Sequence, residues 1–491
     1  MKLSLSWIRD YVKIPEDIDL KKLAYDLTMS TVEVEDVEDL ARRFDNMVVG
    51  VIEKIEPHPN ADKLRVCSVD IGDGELKTIV CGGINLTEGM RVAVSCPGAV
   101  VRWHGEGEPV VIKNSKLRGV ASYGMICASD EIGLGDLFPA SQEAEILDLS
   151  AFEVPAGTSL ADALDMNDVL LEIDNKSMTN RPDLWGHYGI ARELAALYNL
   201  PLAEIKPFHT DVQSDFHVEI AEPDRCRRYI GVEMSGLEVK PSPYWMQSRI
   251  WKVGMRPINA LVDITNYVML ATGNPTHAFD ADNITDHIVV RHAEEGEKLV
   301  LLNEKELDLC TDDLVITDSE GPVALAGVMG GAKDSILPDT KRVILEVANF
   351  EAAGIRRTAL RYDTRTEASA RYEKAIDPER CDQALALSMQ YFQELYPGVQ
   401  VTGYCDNYVN KLERAQIDVD LGWLAKRLGK NLSNDVIQAK LELLGFDVQI
   451  EGGNMHVTAP SWRSTGDISI KDDVLTMLFF HHALCRHTVA A

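Results

Sequence analysis

The sequence predicts an α+β multidomain protein with a small all-β barrel, a larger α+β domain and a small winged-helix-like domain. Its 491 residues, 45% hydrophobic and 26% charged, have an ordinary globular composition and enough length for about three or four domains. Short β-prone runs separated by turn residues dominate the segment after the N-terminus. Strand-like and helix-like runs then alternate, as is typical of α+β domains.

Charge and cysteine usage limit the function classes. The formal net charge is −29, from 49 Lys and Arg against 78 Asp and Glu. This excess excludes a whole-surface nucleic-acid binder, so any such contact must come from local basic patches. Nine cysteines without a C-x-x-C pair predict reduced thiols and a cytoplasmic location. No apolar run approaches the ~20 residues of a membrane span, so we expect no membrane partner.

The first two predicted domains are a helical piece and the barrel. Residues 1–40 are predicted to be helical because Leu20, Leu23, Ala24 and Leu27 recur at helical spacing. Residues 41–155 are predicted to form the barrel, since glycine, proline, aspartate and asparagine separate its β-prone runs at barrel spacing. The expected strands are Met47 to Ile55, Leu64 to Ile71, Lys77 to Val80 and Met90 to Val94.

A connection and the α+β domain follow. Residues 156–214 are predicted to be a connecting segment, helical from Gly189 to Leu200 and then a linker containing Pro201 and Pro207. Residues 215–400 are predicted to form one α+β domain, with strands such as Val289 to His292 and Val343 to Val347.

Residues 410–474 are predicted to be winged-helix-like, and residues 475–491 an atypical tail. Asp420 and Ser433 are suited to begin two helices, which Gly429 and Gly445 end. The flanking strands are expected at Ile417 to Val419 and Met455 to Val457. The first of these helices is predicted to carry three basic residues, Lys426, Arg427 and Lys430. They could bind DNA, or they could simply form a solvent-exposed basic face.

Two segments of the predicted barrel, Pro57 to Cys67 and Lys116 to Leu134, resemble the tRNA-binding OB-fold module of synthetase-associated proteins. The resemblance implies that the barrel binds tRNA. The basic groups able to contact phosphates despite the acidic background are Lys63, Arg65, Lys113, Lys116 and Arg118. Turns and barrel strands without any ligand remain the alternative.

Further motifs resemble, in order and spacing, the beta subunits of bacterial-type phenylalanyl-tRNA synthetases. They are Asn180 to Asp183, Gly189 to Leu194, Arg256-Pro257, Asp263 to Tyr267, His277 to Asp280, Gly327 to Gly331, Arg365 to Ser369 and Arg371 to Lys374. This resemblance implies that residues 215–400 are an editing domain, which hydrolyses tyrosine mischarged on phenylalanine tRNA. It also implies an alpha subunit as partner, in a heterotetramer of two alpha and two beta subunits, with ATP-dependent aminoacylation on the alpha subunit.

The resemblance also assigns an editing site. An apolar pocket built for phenylalanine rejects an added hydroxyl by only ~10²-fold, so a second site that reads the hydroxyl is useful. Glu346 would recognise that hydroxyl. The other implied site residues are His277 and Asn266, which orient the tRNA terminus or water, Gly327 and Gly330 in the wall, and Thr366 and Ala368 in the floor.

The residues alone leave other interpretations of this site open. Glu346 interrupts an apolar strand and could be a strand-edge carboxylate. His277 could be a packed or surface imidazole. No Ser-His-Asp or Cys-His set is evident in the sequence, which favours hydrolysis by a positioned water.

The end of the chain departs from the family. Asp467 and Asp473 resemble acidic residues that help hold Mg²⁺, but Thr476 and Met477 stand where the family has two glutamates. The resemblance then stops, which suggests a truncated or out-of-frame beta subunit. The alternative function is therefore a non-catalytic tRNA-binding fragment that does not assemble. The tail also contains four residues of the types that bind zinc, His481, His482, Cys485 and His487. No second pair of ligands lies at zinc-finger spacing elsewhere in the sequence, so we expect no zinc site.

Overall fold

The computed structural model describes residues 1–485, and their side chains as far as residue 479. The tail side chains considered for zinc, His481, His482, Cys485 and His487, lie outside the described side chains. Within the described residues, no helix combines the length and the apolar character needed to cross a bilayer.

The described chain contains both helices and strands. The helices are α1 (Leu5–Tyr11), α2 (Leu20–Ser30), α3 (Leu160–Ala163), α4 (His187–Tyr198), α5 (Tyr244–Lys252), α6 (Ala260–Thr272), α7 (Ala352–Arg361), α8 (Glu367–Tyr372), α9 (Arg380–Leu395), α10 (Leu421–Leu428), α11 (Asn434–Leu443), α12 (Ser461–Ser464) and α13 (Lys471–Cys485). The strands before the linker are β1 (Lys2–Ser4), β2 (Val34–Asp39), β3 (Met47–Pro57), β4 (Arg65–Asp70), β5 (Leu76–Cys81), β6 (Arg91–Ser95), β7 (Val100–Val101), β8 (Val110–Val111), β9 (Ser115–Leu117), β10 (Val120–Ser122), β11 (Met125–Ile126) and β12 (Val169–Ile173). Those after it are β13 (Val218–Ile220), β14 (Cys226–Ser235), β15 (Thr276–Asp280), β16 (Ile288–His292), β17 (Lys298–Val300), β18 (Glu306–Asp308), β19 (Leu314–Asp318), β20 (Gly321–Leu325), β21 (Met329–Gly330), β22 (Val343–Phe350), β23 (Gln400–Tyr408), β24 (Gln416–Asp420), β25 (Asp447–Glu451) and β26 (Asn454–Thr458).

The chain divides into two compact units. The barrel unit contains residues 38–170 and 247–257, and the larger unit contains residues 1–37, 171–246 and the described residues from 258 onward. The finer division into six segments stays a prediction.

The barrel unit contains a five-stranded antiparallel sheet in the order β11–β6–β3–β4–β5. Its apolar side chains, among them Ile52, Val69 and Val92, form one buried cluster. Tyr123, just before β11, donates its backbone N–H to the Thr78 carbonyl of β5 at 2.9 Å. The two edge strands therefore approach each other in a nearly closed, OB-like barrel. The four predicted barrel strands are confirmed as β3 to β6.

The larger unit contains two sheets, ordered β15–β22–β14–β23 and β13–β16–β19–β20–β21. Side chains of both sheets, such as Tyr229, Ile344 and Ile316, share one buried cluster. Every residue of β22 is buried, which explains its nearly continuous apolar sequence. Helices α6 and α9 pack against β15 and β22 respectively. The predicted strands near residues 289 and 343 are confirmed as β16 and β22.

The winged-helix-like part of the larger unit has a three-stranded sheet, β24–β26–β25, beside α10 and α11. The Asp420 side chain accepts a hydrogen bond from the Trp423 backbone N–H at 2.6 Å and caps α10. Gly429, in the left-handed conformation with φ 68°, ends that helix. Both predicted helices and both predicted strands of this part are confirmed.

Candidate functional site

A pocket opens between the two sheets of the larger unit. Its empty space, with the open mouth included, is about 390 Å³. The side chains that line it are mainly apolar. The lining residues are Pro275, Thr276, His277, Ile316, Ala324, Leu325, Gly327, Val328, Met329, Gly330, Glu346, Ala368 and Tyr372. The pocket thus joins segments nearly 100 residues apart in the chain.

Glu346 is the acidic residue of this lining. It lies on β22, directly opposite His277 of β15 and Gly231 of β14, so the strand-edge interpretation is wrong. The Tyr229 hydroxyl donates a hydrogen bond to Oε2 of Glu346 over 3.2 Å. Burial raises the pKa of Glu346 to about 8, although the hydrogen bond from Tyr229 acts in the opposite direction. At neutral pH the carboxyl group is therefore largely protonated, and it can both donate and accept hydrogen bonds.

His277 lies half-buried beside Glu346, on the same face of the sheet. Its ring packs edge-on against Phe279 at a centroid distance of 4.6 Å, and no side-chain hydrogen bond to it occurs within the described residues. Burial lowers the pKa of His277 to about 4, so the imidazole is neutral at physiological pH. A neutral ring can accept a hydrogen bond from water or a hydroxyl, but it is a weak base at neutral pH.

The two predicted wall glycines leave room that a side chain would fill. A Cβ atom at Gly330 would lie 2.7 Å from Nε2 of His277. A Cβ atom at Gly327, where φ is +66°, would lie 3.0 Å from the Phe350 ring and 3.1 Å from the Tyr372 ring. Both positions therefore need glycine to keep the aromatic and imidazole rings in place.

The structure brings together five of the seven predicted site residues. Thr366 does not line the pocket; its hydroxyl donates to the Val328 carbonyl at 2.8 Å and caps α8. Asn266 lies half-buried on α6 and is also outside the lining. Tyr229 was not predicted, because it reaches Glu346 only through the pairing of β14 with β22, and no local sequence signal marks it.

The barrel unit joins the two segments that resemble a tRNA-binding module. The His58 ring nitrogen Nε2 lies 3.1 Å from the Leu117 carbonyl, and the Asn60 amide donates to the Arg118 carbonyl at 3.0 Å. The five predicted tRNA-binding cations are all exposed, and none forms an ion pair within the described residues; they are Lys63, Arg65, Lys113, Lys116 and Arg118. Unpaired exposed cations are available to phosphates.

The two predicted magnesium ligands already have protein partners. Both Asp467 oxygens accept hydrogen bonds from Arg463 at 2.8 Å. Asp473 accepts from the backbone N–H groups of Ser469 and Ile470 at 2.8 and 2.9 Å. Residues 1–479, whose side chains are described, contain no group of three or more metal-ligating side chains. These residues do not fit the implied Mg²⁺ ion.

Three family models match the chain. Residues 47–158 match a putative tRNA binding domain, residues 225–397 a B3/4 domain, and residues 417–475 a tRNA synthetase B5 domain. The pocket residues of the larger unit fall within the second of these matches.

Curated relatives agree with the family models. The phenylalanine–tRNA ligase beta subunit of Halalkalibacterium halodurans is 37% identical over 96% of this chain and 58% of its own length. That of Latilactobacillus sakei is 38% identical over 97% of this chain and 58% of its own. A solved N-terminal fragment of the Pyrococcus horikoshii phenylalanyl-tRNA synthetase beta subunit is 18% identical, covering 65% of this chain and 88% of that one with a TM-score of 0.36. This chain spans about three fifths of the length of the curated relatives. The chain belongs to the family of phenylalanine–tRNA ligase beta subunits.

Proposed function

We propose that this chain contributes tRNA binding and hydrolytic editing to a phenylalanine–tRNA ligase, and that it removes tyrosine from mischarged phenylalanine tRNA. The observation that carries the proposal is the buried Glu346 carboxyl group inside an otherwise largely apolar pocket. Burying a carboxyl group costs free energy, which a hydrogen bond to a ligand in the pocket would partly offset.

The pocket chemistry suits an aromatic ring with a hydroxyl group at its end. Ile316, Ala324 and Ala368 offer apolar surface to a ring. Glu346 offers a hydrogen-bonding partner to a phenol. A phenylalanine side chain would leave Oε1 of this buried carboxyl group without a hydrogen-bond partner, which disfavours the correctly charged ester.

Hydrolysis in this pocket would use a positioned water molecule. His277, as a neutral imidazole, would accept a hydrogen bond from that water or from the terminal ribose. Thr276 carries the one aliphatic hydroxyl among the described lining residues, and it already donates to the Thr265 carbonyl at 3.2 Å. The lining thus lacks an activated nucleophile for a covalent intermediate. Asn266 and Thr366 would act from outside the lining, by supporting the tRNA terminus and the α8 segment.

Deacylation of the two esters tests the proposal. The purified chain should hydrolyse tyrosyl-tRNA in preference to phenylalanyl-tRNA, both charged on phenylalanine tRNA. Glu346→Ala should reduce this preference about tenfold or more, because it removes a hydrogen bond to the substrate hydroxyl. Glu219→Ala, at an exposed carboxylate on β13 of the same unit, is the matched control. Equal hydrolysis of both esters by the unmodified chain would refute the proposal.

Assembly is a separate part of the proposal. We propose a cytoplasmic heterotetramer in which the alpha subunit binds ATP and activates phenylalanine. Co-purification with an alpha subunit should yield a complex. Failure to assemble, with tRNA binding intact, would favour the alternative of a tRNA-binding fragment that takes no part in ligation. A mobility shift with duplex DNA tests the weaker DNA-binding alternative through Lys426, Arg427 and Lys430.

A further inference from the structure

Tyr229 lies behind Glu346 and does not line the pocket. It is on β14, two residues before Gly231, which pairs directly with Glu346 across the sheet. Every second residue of a strand faces the same side of the sheet, so Tyr229 lies on the same side as Gly231 and therefore as Glu346. Tyr229 and Glu346 are thus diagonal neighbours across the two strands. The phenol of Tyr229 is fully buried, and its hydroxyl lies 3.2 Å from Oε2 of Glu346.

The hydrogen bond has a consequence for the other carboxyl oxygen. Within the described residues, no protein group other than Tyr229 is hydrogen-bonded to the Glu346 side chain. With Oε2 occupied by the Tyr229 hydroxyl, Oε1 is the oxygen left for a ligand. Gly231, directly opposite Glu346, carries no side chain that could compete for the carboxyl group.

We propose that Tyr229 is a positioning residue of the editing site, whose hydroxyl holds Oε2 of Glu346 so that Oε1 meets the hydroxyl of a tyrosyl ester. This inference rests on the proposed editing function. Tyr229 acts through Glu346 and does not touch the substrate. Its loss therefore changes the selection between the two esters and leaves the ester-cleaving groups in place.

Few ionisable groups face Glu346. Tyr229 and Cys226 approach it from β14, His277 from β15 and Tyr372 from α8. Deep burial and the proximity of the Glu346 carboxyl group both raise the pKa values of Tyr229, Tyr372 and Cys226, burial being the larger cause, so all three stay protonated in the neutral range. The lining residues that the sheet β13–β16–β19–β20–β21 contributes to the pocket within the described residues are apolar, such as Ile316 and Leu325. Titration near Glu346 is therefore dominated by Glu346 itself.

Tyr229→Phe removes one hydroxyl and keeps the ring that fills the core. The preference for tyrosyl over phenylalanyl ester should fall roughly threefold to tenfold, the effect of one hydrogen bond. Because the Tyr229 hydroxyl favours the ionised form of Glu346, the midpoint of Glu346 ionisation should rise by roughly half to one pH unit. Infrared spectra of the ¹³C-glutamate-labelled chain measure that midpoint directly, with Glu346→Gln identifying the band.

Tyr408→Phe is the matched control, since the Tyr408 hydroxyl donates to Glu379 at 2.8 Å, outside the pocket. It should leave both the ester preference and the Glu346 midpoint unchanged. An unmodified chain without ester preference would refute the editing function itself. If the unmodified chain has that preference, the editing function stands and only the role of Tyr229 is at stake. A folded Tyr229→Phe chain that keeps either the full ester preference or the original Glu346 midpoint would then overturn that role.

Discussion

The Glu346 side chain, which we propose to select the tyrosyl ester, also makes the stability of the fold depend on pH. Its pKa is raised from an ordinary 4.5 to about 8 by burial, so the folded chain retains a proton that the unfolded chain has lost. The stabilisation is complete below the unfolded pKa and is lost as the pH rises through the folded pKa. His277 affects the pH dependence of stability in the opposite direction. Burial lowers its pKa from 6.5 to about 4, so its contribution to stability is lost as the pH falls from 6.5 to 4.

Glu346→Gln should therefore flatten the pH dependence of stability between pH 6.5 and 8, and the contribution of His277 in this window is common to both chains. The unmodified chain should lose about 1 kcal/mol of unfolding free energy per pH unit relative to the variant, because folded Glu346 goes from almost fully protonated to half ionised over this range. Calorimetric thermal midpoints of both chains at pH 6.5, 7.25 and 8 measure the difference. Parallel curves would show that Glu346 is already ionised in the folded chain at pH 6.5.

Gly330→Ala tests the place of the His277 ring. The added Cβ would lie 2.7 Å from Nε2 of His277, so the ring must move. The rate of deacylation should fall about tenfold or more, because displacing a group of the site by about 1 Å strongly slows catalysis. The control is Gly398→Ala, where no heavy atom lies within 4 Å of the added Cβ. Wild-type deacylation rates in Gly330→Ala would exclude an important role for the ring position.

At the scale of elements, the barrel brings two segments that are far apart in sequence, each with exposed cations, next to each other. Lys63→Ala with Lys116→Ala should weaken tRNA binding, and the salt dependence of the binding constant should become shallower by about 0.7–0.9 for each phosphate group that is no longer neutralised. Filter binding at several salt concentrations measures both effects. Lys54→Ala is the control, because Lys54 is exposed in the same barrel but paired with Glu56 at 2.9 Å. An unchanged salt slope in the double variant would place the tRNA elsewhere.

Elements with strong local signals could be predicted from the sequence. The strands β3 to β6 carry β-branched runs between turn residues, and α10 has both its N-cap Asp420 and its terminal Gly429. Contacts that depend on strand pairing could not be predicted this way. Tyr229 and Glu346 are 117 residues apart, and a shift of one residue in the β14–β22 register would turn Tyr229 to the other face. Motif resemblance found His277 and Glu346, but it could not show that Asn266 and Thr366 lie outside the lining.

At the scale of the whole molecule, distant segments of the larger unit meet in a buried ionic network. Arg181 pairs with Asp183 at 2.8 Å and with Glu193 at 2.6 Å, and all three are buried. Trp462 stacks under the Arg192 guanidinium at 4.0 Å, next to the buried Arg463. The motifs near residues 181–193 and 461–467 are therefore linked structurally, which explains why both are rich in charge without being exposed.

Arg463 is the member of this network whose removal should be most informative. It is 1% exposed and donates to both oxygens of Asp467, so Arg463→Met removes the cation from this carboxylate and leaves it only the 3.4 Å hydrogen bond from the Asn180 amide. We expect a loss of about 3–5 kcal/mol in unfolding free energy, measured by thermal or urea unfolding. Arg414→Met should cost below about 1 kcal/mol, because the ion pair of Arg414 with Asp447 is largely exposed.

The double variant Arg463→Met with Asp467→Leu separates the two contributions to this loss. If an uncompensated carboxylate causes most of the destabilisation, removing Asp467 as well should recover part of it. Added Mg²⁺ should not raise the thermal midpoint of the unmodified chain, since both Asp467 oxygens already accept hydrogen bonds from Arg463. A midpoint that rises with Mg²⁺ and no longer does so after Asp467→Leu would instead make Asp467 a metal ligand. A single Arg463→Met variant as stable as Arg414→Met would show that the network does not hold these segments together.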